Sequence, residues 1–473
     1  MEEKVNLKKA STSYFIGTMF NKGIAFLTVP IFTRLLSTSD YGIVNTYNSW
    51  IAILATIIGF ALHAGIRIAF VDYKKEMNDF LATVTTFTII SGVVLSSVTI
   101  LISRCFVSGI NSALIALCLF HSTSSALIED YSMYLMMQYK YKFRTVLMVL
   151  PNVLSVGISI FVIKKCLNDQ LYLGRIIPTS VIMMTFGVIV SILVYTKSKC
   201  LFNKEYIKYA ITLSAPLIIH GIALNILSQS DRTMITLLAD SSQTGIYSLI
   251  YNFSMIAMVI TTSIEGIWVP WFYKKLKNRE IKEINLVAKD YIHFMTYSLI
   301  GVIMVGPEVV KLLTVKRYWD GISIIPPIVF SNFIIFAYTL YVNIEHYHKK
   351  TSGITVNTVI AAMTNLILNS LLIPKYGYIA AAYTTLFSYV VSLFLHAYKS
   401  KKLEPDLYPL DFFIEPVLEI SIGIILFYCF VDSLFIRWGI VFAYEVVMLV
   451  KEKNRIIVYF PKLKRNKGED NEN

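Results

Sequence analysis

Residues 176–195 read Ile-Ile-Pro-Thr-Ser-Val-Ile-Met-Met-Thr-Phe-Gly-Val-Ile-Val-Ser-Ile-Leu-Val-Tyr, twenty positions without one charged side chain. A helix that crosses the hydrocarbon core of a bilayer needs about 20 predominantly apolar residues. The same ruler moved along the chain finds segments at 12–36, 47–70, 81–103, 112–137, 145–163, 176–195, 209–231, 244–270, 290–313, 322–345, 353–373, 378–397, 412–430 and 434–450. The expected fold is therefore an all-α polytopic membrane protein with about 14 transmembrane helices. Only Val431-Asp432-Ser433 separates the last two segments, so they form a hairpin.

Composition agrees. Of 473 residues, 56% are hydrophobic and only 15% charged, against about 25% charged in an ordinary soluble domain. Too few charges remain to cover a water-soluble protein of this size, which excludes a soluble enzyme, a disordered chain and a coiled coil. The cysteines Cys105, Cys118, Cys166, Cys200 and Cys429 lie far apart, with no CxxC or metal-ligand spacing. They read as small apolar fillers, although Cys105 and Cys166 both fall in loops expected outside, where a disulfide is chemically allowed. There is no HExxH and no phosphate-binding GxxxxGK[ST] loop. No metal, cofactor or catalytic residue is expected. The start, Met-Glu-Glu-Lys, has no small-residue cleavage site after the first apolar run, so that run reads as a retained helix.

The net charge of +13 would suggest nucleic acid in a soluble protein, but its location says otherwise. With the N-terminus placed in the cytoplasm, alternate loops and the tail hold 29 of the 43 basic residues. The opposite loops and helix ends hold ten, three of them in 164–175. Cytoplasmic loops carry the excess of Lys and Arg, so both termini are expected in the cytoplasm. The charge then reports topology and attraction to anionic lipid. The tail Lys462-Leu-Lys-Arg-Asn-Lys467 follows a membrane helix and reads as a lipid-facing tail rather than a nucleic-acid site.

A weak internal repeat divides the chain. Leu35-Leu36, Gly42-Ile43 and Tyr47-Asn48 recur as Leu237-Leu238, Gly245-Ile246 and Tyr251-Asn252, about 203 residues on. Six helices per unit is even, so the halves share one orientation, related by an axis along the membrane normal. The expected organisation is a six-helix lobe at 1–195, a cytoplasmic linker at 196–208, a second six-helix lobe at 209–400, an extra hairpin at 401–450 and a basic cytoplasmic tail at 451–473.

A charge at mid-bilayer costs about 2.5–3.5 kcal/mol on insertion scales, so each needs a reason. The candidates are Lys22, Arg34, Arg67, Glu129 with Asp130, Asp231 with Arg232, Glu265, Glu345, and Glu415, Glu419 and Glu445. Arg34, Asp231 and Arg232 lie near helix ends, where snorkelling is the alternative. Lys22, Arg67 and Glu265 lie deeper and point to a water-filled interior. Glu129 and Asp130 are adjacent, 100° apart on a helix, so at most one faces a partner fully. Polar and aromatic residues extend the list: Asn21, His63, His220, Asn225, Ser228, Asn332, Tyr338, Tyr341, Asn343, Asn365 and Asn369. Interhelical hydrogen bonding would explain any one of them without a substrate. Tyr338, Tyr341 and Glu345 recur at helical spacing as one stripe.

The stretch from Tyr338 onward carries a resemblance. Tyr341-Val-Asn-Ile-Glu-His-Tyr-His-Lys-Lys-Thr351, then Asn365-Leu-Ile-Leu-Asn369, Ile373-Pro-Lys-Tyr-Gly377 and Ala380-Ala-Ala-Tyr-Thr-Thr385, resemble the C-terminal half of polysaccharide-biosynthesis membrane proteins, the Wzx-type O-antigen flippases of the MOP exporter superfamily. Pro30-Ile-Phe-Thr-Arg34-Leu-Leu-Ser-Thr-Ser-Asp40-Tyr-Gly42, Ser230-Asp231-Arg232-Thr-Met-Ile235 with Thr244-Gly-Ile-Tyr247, and Trp268-Val-Pro-Trp-Phe272 resemble three further places in that family. The stretch 65–72 departs from the pattern, with Arg67 earlier and Asp72 at the end.

The resemblance implies two six-helix lobes around a cavity, alternating access, and movement of an undecaprenyl-diphosphate-linked oligosaccharide across the bacterial inner membrane. Arginine suits a diphosphate because its planar fork pairs bidentately with phosphate oxygens. The cavity contacts expected are Lys22, Arg34, Arg67 and Arg232, with Asn21, Asn225, Tyr338 and Tyr341. Asp231, Glu265 and Glu129 are the candidates for coupling to H+ or Na+. Membrane lipids and other polysaccharide-assembly proteins are the remaining expected partners, and nucleic acid is not one. A drug/cation antiporter or a peptidoglycan-precursor flippase of the same superfamily is the alternative within transport; deep Lys and Arg argue against the antiporter. A membrane glycosyltransferase or polysaccharide polymerase is the alternative from another class, and it lacks the large outer loop or acidic motif such enzymes need.

Overall fold

The computed structural model describes residues 23–24, 26–106 and 112–469, and their side chains apart from those of 103–106, 216 and 452–469. Among these the chain is helical from end to end: α1 Phe26–Leu35, α2 Thr38–Gly59, α3 Leu62–Asp72, α4 Met77–Phe106, α5 Ser112–Met137, α6 Tyr141–Lys165, α7 Leu173–Tyr195, α8 Lys204–Leu238, α9 Ser241–Lys277, α10 Ile281–Leu313, α11 Ile325–Tyr347, α12 Thr351–Leu403, α13 Ile414–Cys429 and α14 Leu434–Glu469. A 3₁₀ turn at Lys316–Ile324 joins α10 to α11.

Helix α7, which contains the quoted stretch, shows how lipid sorts the side chains. Ile177, Val181, Val188 and Ile192 form an exposed stripe on one face. Gly187, Val190, Ser191 and Val194 turn inward. With lipid as solvent there is no hydrophobic drive between helices, so small residues that let backbones approach take the interface. A Cβ on Gly187 would meet the Ser124 side chain of α5 at 2.7 Å. The Ser191 hydroxyl returns its hydrogen bond to the Gly187 carbonyl at 2.9 Å, so burying it leaves nothing unsatisfied.

The breaks in the helices depart from the expected segments for local reasons. The second segment, read as one helix over 47–70, begins at Thr38, because Ser37 and Asp40 form a reciprocal capping box. It then breaks between α2 and α3, where Phe60 and Ala61 both take the left-handed conformation, at φ 48° and 50°. The eleventh and twelfth segments join in α12 and part at Gly377, whose φ of 59° and ψ of −145° no helix continues. Helix α8 bends by 51° at residue 216, where proline lacks the N–H that the ladder needs. Of the two cysteines for which a disulfide was chemically allowed, Cys166 is a free thiol and the Cys105 side chain lies outside the described residues.

The residues of the N-terminal half pack around Leu62, Phe80, Tyr131 and Val190. A larger core in the other half centres on Trp268, Phe272, Phe333, Tyr341 and Tyr408. The halves meet where α2 packs along α8 and α9. The terminal hairpin docks on α10 through Arg437, which is 1% exposed and donates to the Met304 carbonyl at 2.6 Å and to Glu308.

Candidate functional site

The sequence repeat becomes a physical lock. Ser37 caps α2, accepting from the Asp40 N–H at 3.0 Å, and Asp240 caps α9, accepting from the Gln243 N–H at 2.8 Å. The two capped starts lie against each other. Thr38 and Ser242 hydroxyls share a hydrogen bond of 2.5 Å, and Ser39 and Ser241 one of 2.6 Å. Gly42 and Gly245, the repeat-related glycines, form the crossing itself. A Cβ on Gly42 would stand 1.8 Å from the Ser241 carbonyl oxygen, and one on Gly245 would stand 2.0 Å from that of Thr38. Further along, Thr46 and Thr236 share a 2.7 Å bond. Arg317, before α11, donates across the halves to the Thr33 and Leu36 carbonyls at 3.0 and 2.8 Å, completing the carbonyl end of α1.

Two cavities flank α2. The first, about 500 Å³, lies between α2, α3, α5 and α8 and is lined by Arg67, His63, Glu129, Asp130, His220 and Asn225 among others. Arg67 makes no hydrogen bond or ion pair with any other described residue, whereas Glu129 stands 3.8 Å from His63. Both acidic neighbours line this cavity, but Asp130 is buried and accepts weakly from Thr88 at 3.4 Å, while the Glu129 side chain is exposed. Asn225 donates to Thr56 at 2.9 Å on the opposite wall.

The second cavity, about 600 Å³, lies beside the lock and holds Asn45, Asn48, Asn252, Tyr41 and Arg175 on an otherwise apolar wall. The Arg175 guanidinium sits 4.3 Å over the Phe32 ring. In the sequence Asn48 and Asn252 belong to the repeat, Tyr41 to the motif at 30–42 and Arg175 to the basic 164–175 stretch, whereas Asn45 carries no signal. Asn252 donates to Asn45 at 3.4 Å across the halves.

The other expected residues lie elsewhere. Asn21 and Lys22 are outside the described residues. Arg34 is exposed on α1 and Glu265 half-buried on α9; neither lines either cavity. Arg232 is buried, donating to the Ser228 carbonyl and Gln229 at 3.0 and 3.1 Å under the Tyr251 ring. Tyr341 donates to the Tyr408 carbonyl at 3.0 Å, and Tyr338 stacks on Tyr389, so the stripe on α11 faces neighbouring helices and lines neither of these two cavities. Asp231 is wholly buried and accepts three hydrogen bonds, from Tyr247 at 2.5 Å and from Asn369 and Thr385 at 2.7 Å each. Adjacent to it in sequence, Arg232 keeps its own partners, so the carboxylate is held by dipoles rather than by a paired cation.

A family model described as polysaccharide biosynthesis protein matches residues 7–275. The chain belongs to the polysaccharide biosynthesis protein family. A Haemophilus influenzae relative described as an uncharacterized membrane protein is 22% identical over 388 residues, 76% of this chain and 89% of its own. Among solved structures, one described as lipid II flippase MurJ in an inward closed conformation matches with TM-score 0.70 at 17% identity, covering 94% of this chain and 99% of that one. An inward-facing multidrug resistance MATE family transporter of the MOP superfamily matches with TM-score 0.60 at 12% identity, over 84% of this chain and 99% of that one. The fold of this family member is thus that of an all-helical, multi-pass membrane protein, similar to that of MurJ and of the MATE family transporter.

Proposed function

We propose that the protein moves an undecaprenyl-diphosphate-linked oligosaccharide, an O-antigen unit or similar surface-polysaccharide precursor, from the inner to the outer leaflet of the bacterial inner membrane. The observation that carries this reading is Arg67, a cation with no described partner, standing in a polar cavity between membrane helices. A lipid tail can remain in the bilayer while a sugar–diphosphate head crosses only by a wet, polar path. A guanidinium unpaired among the described residues in that path is a bidentate receptor for phosphate oxygens. The family membership supports the same substrate class.

The lobes 1–195 and 209–400 would rock about the linker 196–208, with the α2–α9 lock closing one side. The bias of basic residues supports cytoplasmic termini; in this reading the lock is on the outer side and the Arg67 cavity toward the cytoplasm. In this reading Asp231, ringed by Tyr247, Asn369 and Thr385, takes the coupling cation, H+ or Na+. Membrane lipids bound the path, and other polysaccharide-assembly proteins would feed and empty it. The test is flipping in proteoliposomes charged with undecaprenyl-diphosphate oligosaccharide, with sugar accessibility as readout. Arg67→Ala should slow transport at least tenfold and Arg67→Lys less; equal rates for wild type and Arg67→Ala would sink the assignment.

A further inference from the structure

Among the ionisable groups left unused by the flippase reading, one pair is sealed more completely than any group in the cavities. Glu345 of α11 and His396 of α12 stand with Oε1 and Nδ1 2.6 Å apart, each side chain 1% exposed. The second carboxylate oxygen, Oε2, is buried with no hydrogen-bond partner among the described residues. Asn357 lies 3.3 Å from the same ring nitrogen, and the Tyr338 ring stacks on the imidazole at 5.7 Å. Lys399 donates to the Gly353 carbonyl at 3.0 Å. A Cβ on Gly353 would meet both the Lys399 ammonium and Glu345 Oε2 at 3.3 Å, so the ammonium stands on the side of the unpartnered oxygen.

Interhelical hydrogen bonding alone would account for a neutral pair. Three features go further. First, a separation of 2.6 Å requires a proton on the line between nitrogen and oxygen. Second, both proton counts of the pair have a complement. With one proton more, the pair is neutral, as imidazolium–carboxylate or imidazole–carboxylic acid. With one proton fewer, it carries a single negative charge, and Lys399 faces that charge. Third, polar side chains stand between the Arg67 cavity and the helix that carries Asn357. His220 lines the Arg67 cavity, and its Nδ1 lies 3.2 Å from the Thr358 hydroxyl. Thr358 is the next residue in sequence after Asn357, whose amide lies 3.3 Å from the His396 ring nitrogen. The charged or titratable groups nearby are His220 from α8, Glu265 from α9 across Tyr338, His346 from α11 and Lys399 from α12.

We propose that Glu345 and His396 form a proton-binding site in the C-terminal half, filled from the cavity through His220 and Thr358. The proton comes from cavity water and returns there; no bond other than O–H or N–H is made or broken. Such a site joins α11 to the far end of α12, so its charge bears on how those helices pack.

Proton binding can be measured without any transport substrate, which separates this proposal from the flippase reading. The purified full chain in nanodiscs is stepped from pH 8 to pH 5, and proton uptake per chain is read with an indicator dye. Glu345→Gln and His396→Asn should each take up about one proton fewer than wild type. Thr358→Val should keep the total but slow uptake about tenfold. Melting curves select the variants that are folded, and either of the first two suffices. Unchanged uptake in a folded Glu345→Gln or His396→Asn would overturn the site, and an unchanged rate in Thr358→Val would overturn the route.

Discussion

Gly42→Ala probes the lock with the smallest possible change. The added Cβ would stand 1.8 Å from the Ser241 carbonyl oxygen, where ordinary contact begins at 3.4 Å, so α2 and α9 must separate by about 1.6 Å or twist by an equivalent amount. Both neighbours are backbone, so no side chain can rotate away. Overpacking of this kind costs about 1–3 kcal/mol, and a shift of that size changes a two-state equilibrium about 5–150-fold. The Thr38–Ser242 and Ser39–Ser241 bonds, at 2.5 and 2.6 Å, would lengthen with it. The assay is disulfide trapping of Thr38→Cys with Ser242→Cys, in a background where the native cysteines are replaced. The parent should cross-link readily, and Gly42→Ala should cut the rate at least fivefold, with Gly245→Ala acting alike because it meets the Thr38 carbonyl at 2.0 Å. Equal rates with and without the alanines would refute the claim that this crossing closes the path.

Two predictions concern buried charge. Asp231→Ala would leave the Tyr247 hydroxyl, the Thr385 hydroxyl and the Asn369 amide without their acceptor, at about 1–3 kcal/mol for each orphaned donor. Thermal unfolding in detergent should show a fall of several degrees, larger than for Asp231→Asn. Glu308→Ala strands Arg437, which is 1% exposed, and breaking such a pair costs about 3–5 kcal/mol. The same melting assay should show a large drop for Glu308→Ala, and a smaller one when Arg437→Met is added.

The fold was legible because lipid imposes a strict length and composition on each span. Residues 176–195 needed only counting. The breaks were harder: nothing in the composition of 47–70 marks Phe60 and Ala61 as left-handed, since tertiary packing, not propensity, holds them there. The glycines of the lock were visible as a repeat, yet their contact was not, because helices 203 residues apart in sequence meet only in the folded bundle. The cavity was partly legible. Arg67, Glu129 and Asn225 stood out as polar residues in apolar runs, and they share one wall-to-wall site. Arg232 and Tyr341 stood out for the same reason and turned inward to other helices, because an intramembrane polar group signals a need for partners rather than for a ligand. Arg175 was counted among loop charges, and His396 had no sequence sign of its partner Glu345, 51 positions away.

The central claim is tested most directly in a bacterial strain that lacks its own flippase and makes the cognate lipid-linked repeat unit. Expression of this chain should restore surface polysaccharide and clear undecaprenyl-diphosphate-linked units from the inner leaflet. Persistent inner-leaflet units and no surface polysaccharide, with the protein folded and present in the membrane, would contradict the account.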